Sequence, residues 1–135
     1  MKKNPKDLQD FAARYTAAWC SRDAARVAEF FAPDGNLSVN ANAPAVGRRA
    51  IQEVAQSFMA AFPDLQVILD GVVVEEARTE YHWTLVGTNT GPGGSGKPVR
   101  ISGWERWKIG EDGLIASSKG QFDDADYQRQ LGISS

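Results

Sequence analysis

The spacing of apolar residues changes once along the chain, at Leu65, from helical to alternating. Before that point Leu8, Phe11, Ala12, Tyr15 and Trp19 fall on one helical face, and Ile51, Val54, Ala55, Phe58 and Phe62 on another. After it, apolar and polar residues alternate, which is the pattern of half-buried strands. A chain with helices first and a run of strands afterwards has to pack those helices on one face of a sheet. That is an α+β domain.

The punctuation divides it further. Asn4-Pro5 opens the first helix, with Asp7 near its positive end. Asp23 caps a short second helix carrying Val27, Phe30 and Phe31, which Pro33 stops, and Pro33-Asp34-Gly35 turns into a strand from Asn36 to Asn40. The third helix follows Gly47 and ends at Pro63. Strands are expected at 65–76, 79–89, 98–109 and 114–122, and a last helix follows Asp123. The short connections, Glu76 to Arg78, TGPGGSGK and 110–113, imply an antiparallel meander. The predicted order is α-α-β-α-β-β-β-β-α.

Strand 98–109 tells the two sheet faces apart. Its odd positions are Val99, Ile101, Gly103, Glu105, Trp107 and Ile109, and its even positions include Arg100, Arg106 and Lys108. The odd set therefore faces the helices, with Glu105 alone among apolar neighbours. In strand 79–89 the inner set is Tyr81, Trp83, Leu85, Gly87 and Asn89. A turn at 110–113 pairs Ile109 with Leu114, so Glu105 is expected opposite Ser118, and Gly103 opposite Gly120. Leu114, Ala116, Ser118, Gly120 and Phe122 then complete the inner face. A carboxylate there is costly in a dry core, so water, a partner or a ligand should reach it.

With 135 residues the chain forms one domain, 1–135, large enough to bury its own core. Fifteen Lys and Arg against seventeen Asp and Glu, scattered in sequence, argue against nucleic acid as a partner. No apolar run is long enough to span a membrane, and MKKNPKDLQDF lacks the apolar core of a signal peptide. Cys20 is the single cysteine, which suits a reducing cytoplasm. His82 on the outer face cannot build a metal site with its neighbours. The glycine loop is not placed between a strand and a helix as a phosphate loop must be.

Several stretches carry a resemblance: FFAPDG, AFPDLQV, WTLVGTNTG, GEDGLI and FDDADYQRQLG, in this order across nearly the whole chain. The chain resembles the SnoaL-like polyketide cyclases of the nuclear-transport-factor-2-like superfamily. That resemblance implies a cone-shaped curved antiparallel sheet packed against three helices, with a short C-terminal helix and a deep apolar pocket. It also implies dimers, and ring closure by aldol chemistry without metal or organic cofactor, with a carboxylate as acid and base. Tyr15 matches a pocket-facing position of the first helix. Asn89 stands where many members have His, and Gly120 where the last strand often carries the catalytic acid.

The candidate catalytic residues are Glu105 and Tyr15. Glu105 is either a structural acid bonded to Tyr15 or Asn89, or a general base whose pKa is raised beside Trp83 and Trp107. Tyr15 is either a donor to a developing enolate oxygen or an ordinary helix-face aromatic. Candidate ligand contacts are Trp19, Phe58, Phe62, Trp83, Asn89, Trp107 and Asp123, of which the Trp rings are either pocket walls or core. Asp123 either turns to the pocket rim or caps the last helix, with Asp126 at its third position. The function expected is acid/base proton transfer on a small apolar or aromatic carbonyl compound, of cyclase or isomerase type. The alternative is a non-catalytic dimeric protein that binds small ligands. In either case Trp104, among Arg100, Arg106 and Lys108 on the outer face, is expected to anchor a homodimer.

Overall fold

The computed structural model describes residues 5–40, 42–75 and 78–132; the Asn4 cap and the Glu76 end of the first hairpin lie outside them. Helix α1 (Pro5–Cys20) buries Leu8, Phe11, Ala12, Tyr15 and Trp19, the face that its spacing predicts. A left-handed Arg22 ends this segment. Asp23 then caps α2 (Ala24–Ala28), accepting from the amide of Ala25 at 3.1 Å.

This second helix stops at Ala28, earlier than expected. Phe31 does not belong to it but opens β1 (Phe31–Val39), its ring fully buried. A Phe-Phe pair fits helix and strand equally well by pattern, and here pairing with Ile115 of the sheet decides. The Pro33-Asp34-Gly35 stretch therefore lies inside β1, at an irregularity between Phe31 and Asn36, rather than before the strand. A two-residue strand β2 (Ala45–Val46), which the sequence pattern does not reveal, pairs with β1. Helix α3 (Arg48–Ala61) follows, with Ile51, Ala55 and Met59 buried and Val54 and Phe58 half-buried.

The remaining strands are β3 (Gln66–Val74), β4 (Thr79–Thr88), β5 (Pro98–Ile109) and β6 (Ile115–Phe122). They form the expected antiparallel meander in a curved open sheet of order β2-β1-β6-β5-β4-β3. One pairing departs from it: β1 lies parallel to β6. These two strands are not joined by a hairpin, so nothing forces them to run in opposite directions.

The β5–β6 register is the main correction. Glu105 lies opposite Gly120, not Ser118; Gly103 faces Phe122, and Ser118 faces Trp107. Two one-residue slips add up: the turn pairs Ile109 with Ile115 rather than Leu114, and a bulge on β6 then sets Lys108 against Ser117, leaving Ala116 without a partner. From Ser118 onward the expected face is kept. Before the bulge it is inverted, so the fully buried Ile115 takes the inner position assigned to Leu114 and Ala116.

Helix α4 (Asp124–Leu131) is capped by Asp123, whose Oδ1 accepts from the amide of Asp126 at 3.0 Å. Phe122 and Tyr127 close over the first turn, ring centroids 5.4 Å apart, as a hydrophobic staple. Further along the helix, Gln130 grips β5 beyond the end of β6. Its Oε1 accepts from the amide of Arg100 at 2.6 Å, and its Nε2 donates to the Arg100 carbonyl at 2.9 Å. No helix among the described residues is long and apolar enough to cross a membrane.

Candidate active site

Strand alternation sends Glu105 inward from β5, and the residue is 8 % exposed. Three donors converge on one of its oxygens. Oε1 accepts from Ser118 Oγ at 2.8 Å, from Trp107 Nε1 at 3.0 Å and from the Tyr15 hydroxyl at 3.1 Å. Oε2 has a single longer contact, 3.3 Å to the same Tyr15 hydroxyl, and keeps capacity for a proton. Burial pushes the Glu105 pKa above the ordinary carboxylate range, while Trp107, Ser118 and Tyr15 pull it back only in part.

The second layer holds these donors still. The Tyr15 ring is wholly buried and packs edge-on against Trp107 at 5.2 Å. Burial first, and the Glu105 charge second, push its pKa well above that of a free phenol, so it stays a donor. Tyr81 stacks on Trp107 at 4.9 Å, and its hydroxyl is 2.5 Å from Thr16 Oγ1. Each polar tip in this aromatic layer has a partner, as burial demands.

Glu105 lines a cavity of about 60 Å³ whose other walls include Trp19, Phe58, Trp83, Leu85, Ile101 and Gly120. That space suits a few waters or a small ligand, below the roughly 300–1,000 Å³ that buries a drug-sized one. Leu37, Val39, Val54, Phe58 and Phe122 also border a groove of about 340 Å³ beside α3 and α4. These side chains stand between the inner cavity and the outer groove, so a larger ligand must displace them.

One wall carries an unpaired polar atom. Trp83 Nε1 is shut off from solvent and has no hydrogen-bond partner. Leaving such a group unpaired costs about 1–3 kcal/mol. Its indole lies over Gly103, where a Cβ would come within 2.7 Å of Cζ2 and 2.2 Å of the Gln121 carbonyl. Glycine is required there by this close approach.

Of the candidate residues, the structure gathers Glu105, Trp19, Phe58 and Trp83 around the cavity. Tyr15 and Trp107 sit behind Glu105, reaching its carboxylate but forming no part of the wall. Phe62 is core, fully buried with its ring 6.3 Å from Tyr127. Asn89 does not reach Glu105; its Nδ2 donates to the Ala61 carbonyl at 3.1 Å and its Oδ1 accepts from Ser95 at 2.8 Å. It ties the glycine loop to the end of α3. Asp123 serves as the helix cap, outside the cavity. Tyr81, Val54 and Phe122 are walls not among the candidates, although strand parity and the α3 face place them on the inner side. His82 pairs with Glu80 on the outer face, Nε2 to Oε1 3.3 Å. Among the described residues no group of three His, Cys, Asp or Glu could hold a metal ion.

The family model for the SnoaL-like polyketide cyclases matches residues 9–131. No match is found among curated protein sequences. Among solved structures, TsrD from Streptomyces laurentii superposes with a TM-score of 0.83 at 22 % identity, covering 98 % of this chain and 100 % of that one. A protein of ketosteroid isomerase-like fold from Catenulispora acidiphila, in complex with trimethylamine, gives 0.81 at 16 % identity, covering 98 % and 96 %. A phenazine biosynthesis-related protein from Pseudomonas aeruginosa gives 0.76 at 16 %, covering 100 % and 89 %. At these identities the likeness is one of fold.

Proposed function

The chain belongs to the SnoaL-like polyketide cyclase family, and on that premise we propose that it is a cofactor-free acid/base enzyme acting on a small apolar carbonyl compound. The observation that carries this reading is Glu105, the one acid among the described residues on the wall of a mostly apolar cavity. Burial makes its carboxylate a stronger base than a free one, and three donors fix it in place. Oε2 removes a proton from the carbon beside the carbonyl, and the electron pair of that C–H bond moves into an enolate. The enolate carbon either bonds to a second carbonyl of the same molecule, whose oxygen takes the proton back from Glu105, or, in a substrate with a double bond next to that carbon, the extended enolate takes the proton back from Glu105 at the far carbon of the double bond. The first outcome is cyclisation and the second isomerisation. Tyr15, Trp107 and Ser118 are positioning residues in this scheme.

The test is deuterium incorporation beside the carbonyl of cyclohexanone, acetophenone and 1-tetralone in D2O, followed by NMR. Glu105→Gln should slow incorporation by about two to four orders of magnitude. Equal rates in variant and wild type overturn the assignment. A second reading, ligand binding without catalysis, is favoured by the concentration of donors on Oε1, which is how a structural acid is held; it predicts binding without exchange. Both readings include a homodimer through the outer sheet face at Trp104, where Ile68 and Val73 are also exposed, and residence in a reducing cytoplasm, with Cys20 unpaired.

A further inference from the structure

We propose that Trp83 Nε1 is the donor that captures the acceptor oxygen of the ligand, and that the ligand is a neutral apolar molecule with a carbonyl group. This assignment deepens the acid/base reading of the same cavity and rests on it only for the chemistry, not for the binding. Among the described residues Trp83 Nε1 is the one buried side-chain nitrogen or oxygen without a partner, and its indole is part of the cavity wall. Buried donors in folded proteins are paired, so an unpaired one on a residue of the pocket wall marks where an acceptor is taken up once a small turn of the indole brings its N–H, closed off by protein atoms here, to the cavity.

The backbone sets where that acceptor sits. Trp83 pairs with Gly103 and Tyr81 with Glu105, so Trp83 and Glu105 are diagonal neighbours on one face of β4 and β5. The missing side chain at Gly103 seats the indole, and Phe122 meets its ring at 6.0 Å. A molecule lying between the two presents its oxygen to the indole N–H and an adjacent C–H to the carboxylate. The same N–H then meets the negative charge that forms on that oxygen when the proton leaves. The Tyr81 hydroxyl, on a residue of the same wall, is already engaged by Thr16. Among the described residues no Lys or Arg lines the cavity to balance a carboxylate or phosphate on the ligand.

The experiment uses cyclohexanone and its isostere methylenecyclohexane, in which CH2 replaces the oxygen. Saturating cyclohexanone should move the indole N–H resonance of Trp83, identified by its loss in Trp83→Phe, and methylenecyclohexane should not. Trp83→Phe should weaken cyclohexanone binding about five- to tenfold and leave methylenecyclohexane within about twofold. An unmoved indole resonance at saturation, equal weakening of both probes, or no binding of cyclohexanone overturns the proposal. Should the variant misfold, the wild-type spectra alone decide. A shifted indole with no deuterium exchange refutes the enzyme and keeps the donor; exchange with an unmoved indole does the reverse.

Discussion

Glu105 and Gly120 face each other across β5 and β6, and a Cβ built on Gly120 would stand 3.5 Å from Cγ of Glu105. The resemblance expects the family acid on the last strand at this position; here the acid is on the strand beside it. A second carboxylate at Gly120 would raise the proton affinity of the pair through like-charge repulsion. Gly120→Asp should therefore lose roughly 1–3 kcal/mol in urea unfolding at pH 8, and much less at pH 4. Gly120→Ala meets only ordinary contacts and should stay within about 1 kcal/mol of wild type at both.

Glu105 also sets a direction for stability against pH. Burial raises its pKa in the folded state, so the folded protein binds this proton more tightly than the unfolded chain. Its contribution is fully present below the ordinary carboxylate pKa and is lost as pH rises through the folded value. The difference between Glu105→Gln and wild type, measured by urea unfolding from pH 4 to pH 8, should shift in favour of the variant as pH rises. A difference that is flat across this range contradicts a raised pKa.

Asp123 is a cap rather than a site residue. Asp123→Ala should cost about 1 kcal/mol, read as a lower melting temperature, with ligand affinity and turnover unchanged. A loss of turnover at temperatures where the variant remains folded would bring Asp123 into the mechanism.

The outer face gives the assembly prediction. Within one chain the Arg106 guanidinium covers the Trp104 ring at 4.4 Å and also binds Glu80 at 3.0 Å, while Ile68 and Val73 stay exposed beside them. Light scattering at micromolar concentration should give twice the mass of one chain. Trp104→Ala should weaken the dimer by about 2 kcal/mol or more, roughly thirtyfold. A wild-type mass of one chain would show that the Arg106 contact is all the cover this ring needs.

Much of this arrangement is legible in the residues alone. Period separates the helices from the meander, parity sends Glu105 inward, and Asp123 with Asp126 marks the start of α4. What escapes is set by contacts distant in sequence. The turn sets Ile109 against Ile115 instead of Leu114 and the bulge at Ala116 adds a second residue, so the parity of Ser118 is intact but its partner moves by two, and turn length alone reveals neither slip. Trp107 and Phe62 have the same inward spacing as Trp83 and Phe58, yet only the latter pair borders the cavity. Depth below a pocket wall depends on how α1 and α3 seat on the sheet, and no local pattern encodes it. The open N–H of Trp83 is equally silent, because any buried indole could have found a carbonyl.

The grip of Gln130 on Arg100 has a consequence beyond holding α4 in place. β5 extends past the end of β6, and the amide and carbonyl of Arg100 point from that overhang toward no neighbouring strand. Bare strand edges recruit strands from other molecules, and the usual defences are charge, proline or a covering element. Here one amide side chain reproduces the two bonds that another strand would make. A chain whose last helix is detached keeps its cavity walls on β4 and β5 but offers neighbours a template for edge-to-edge growth. The last helix, which adds nothing to the wall of the inner cavity, is thereby the cover of a strand edge that would otherwise recruit neighbours.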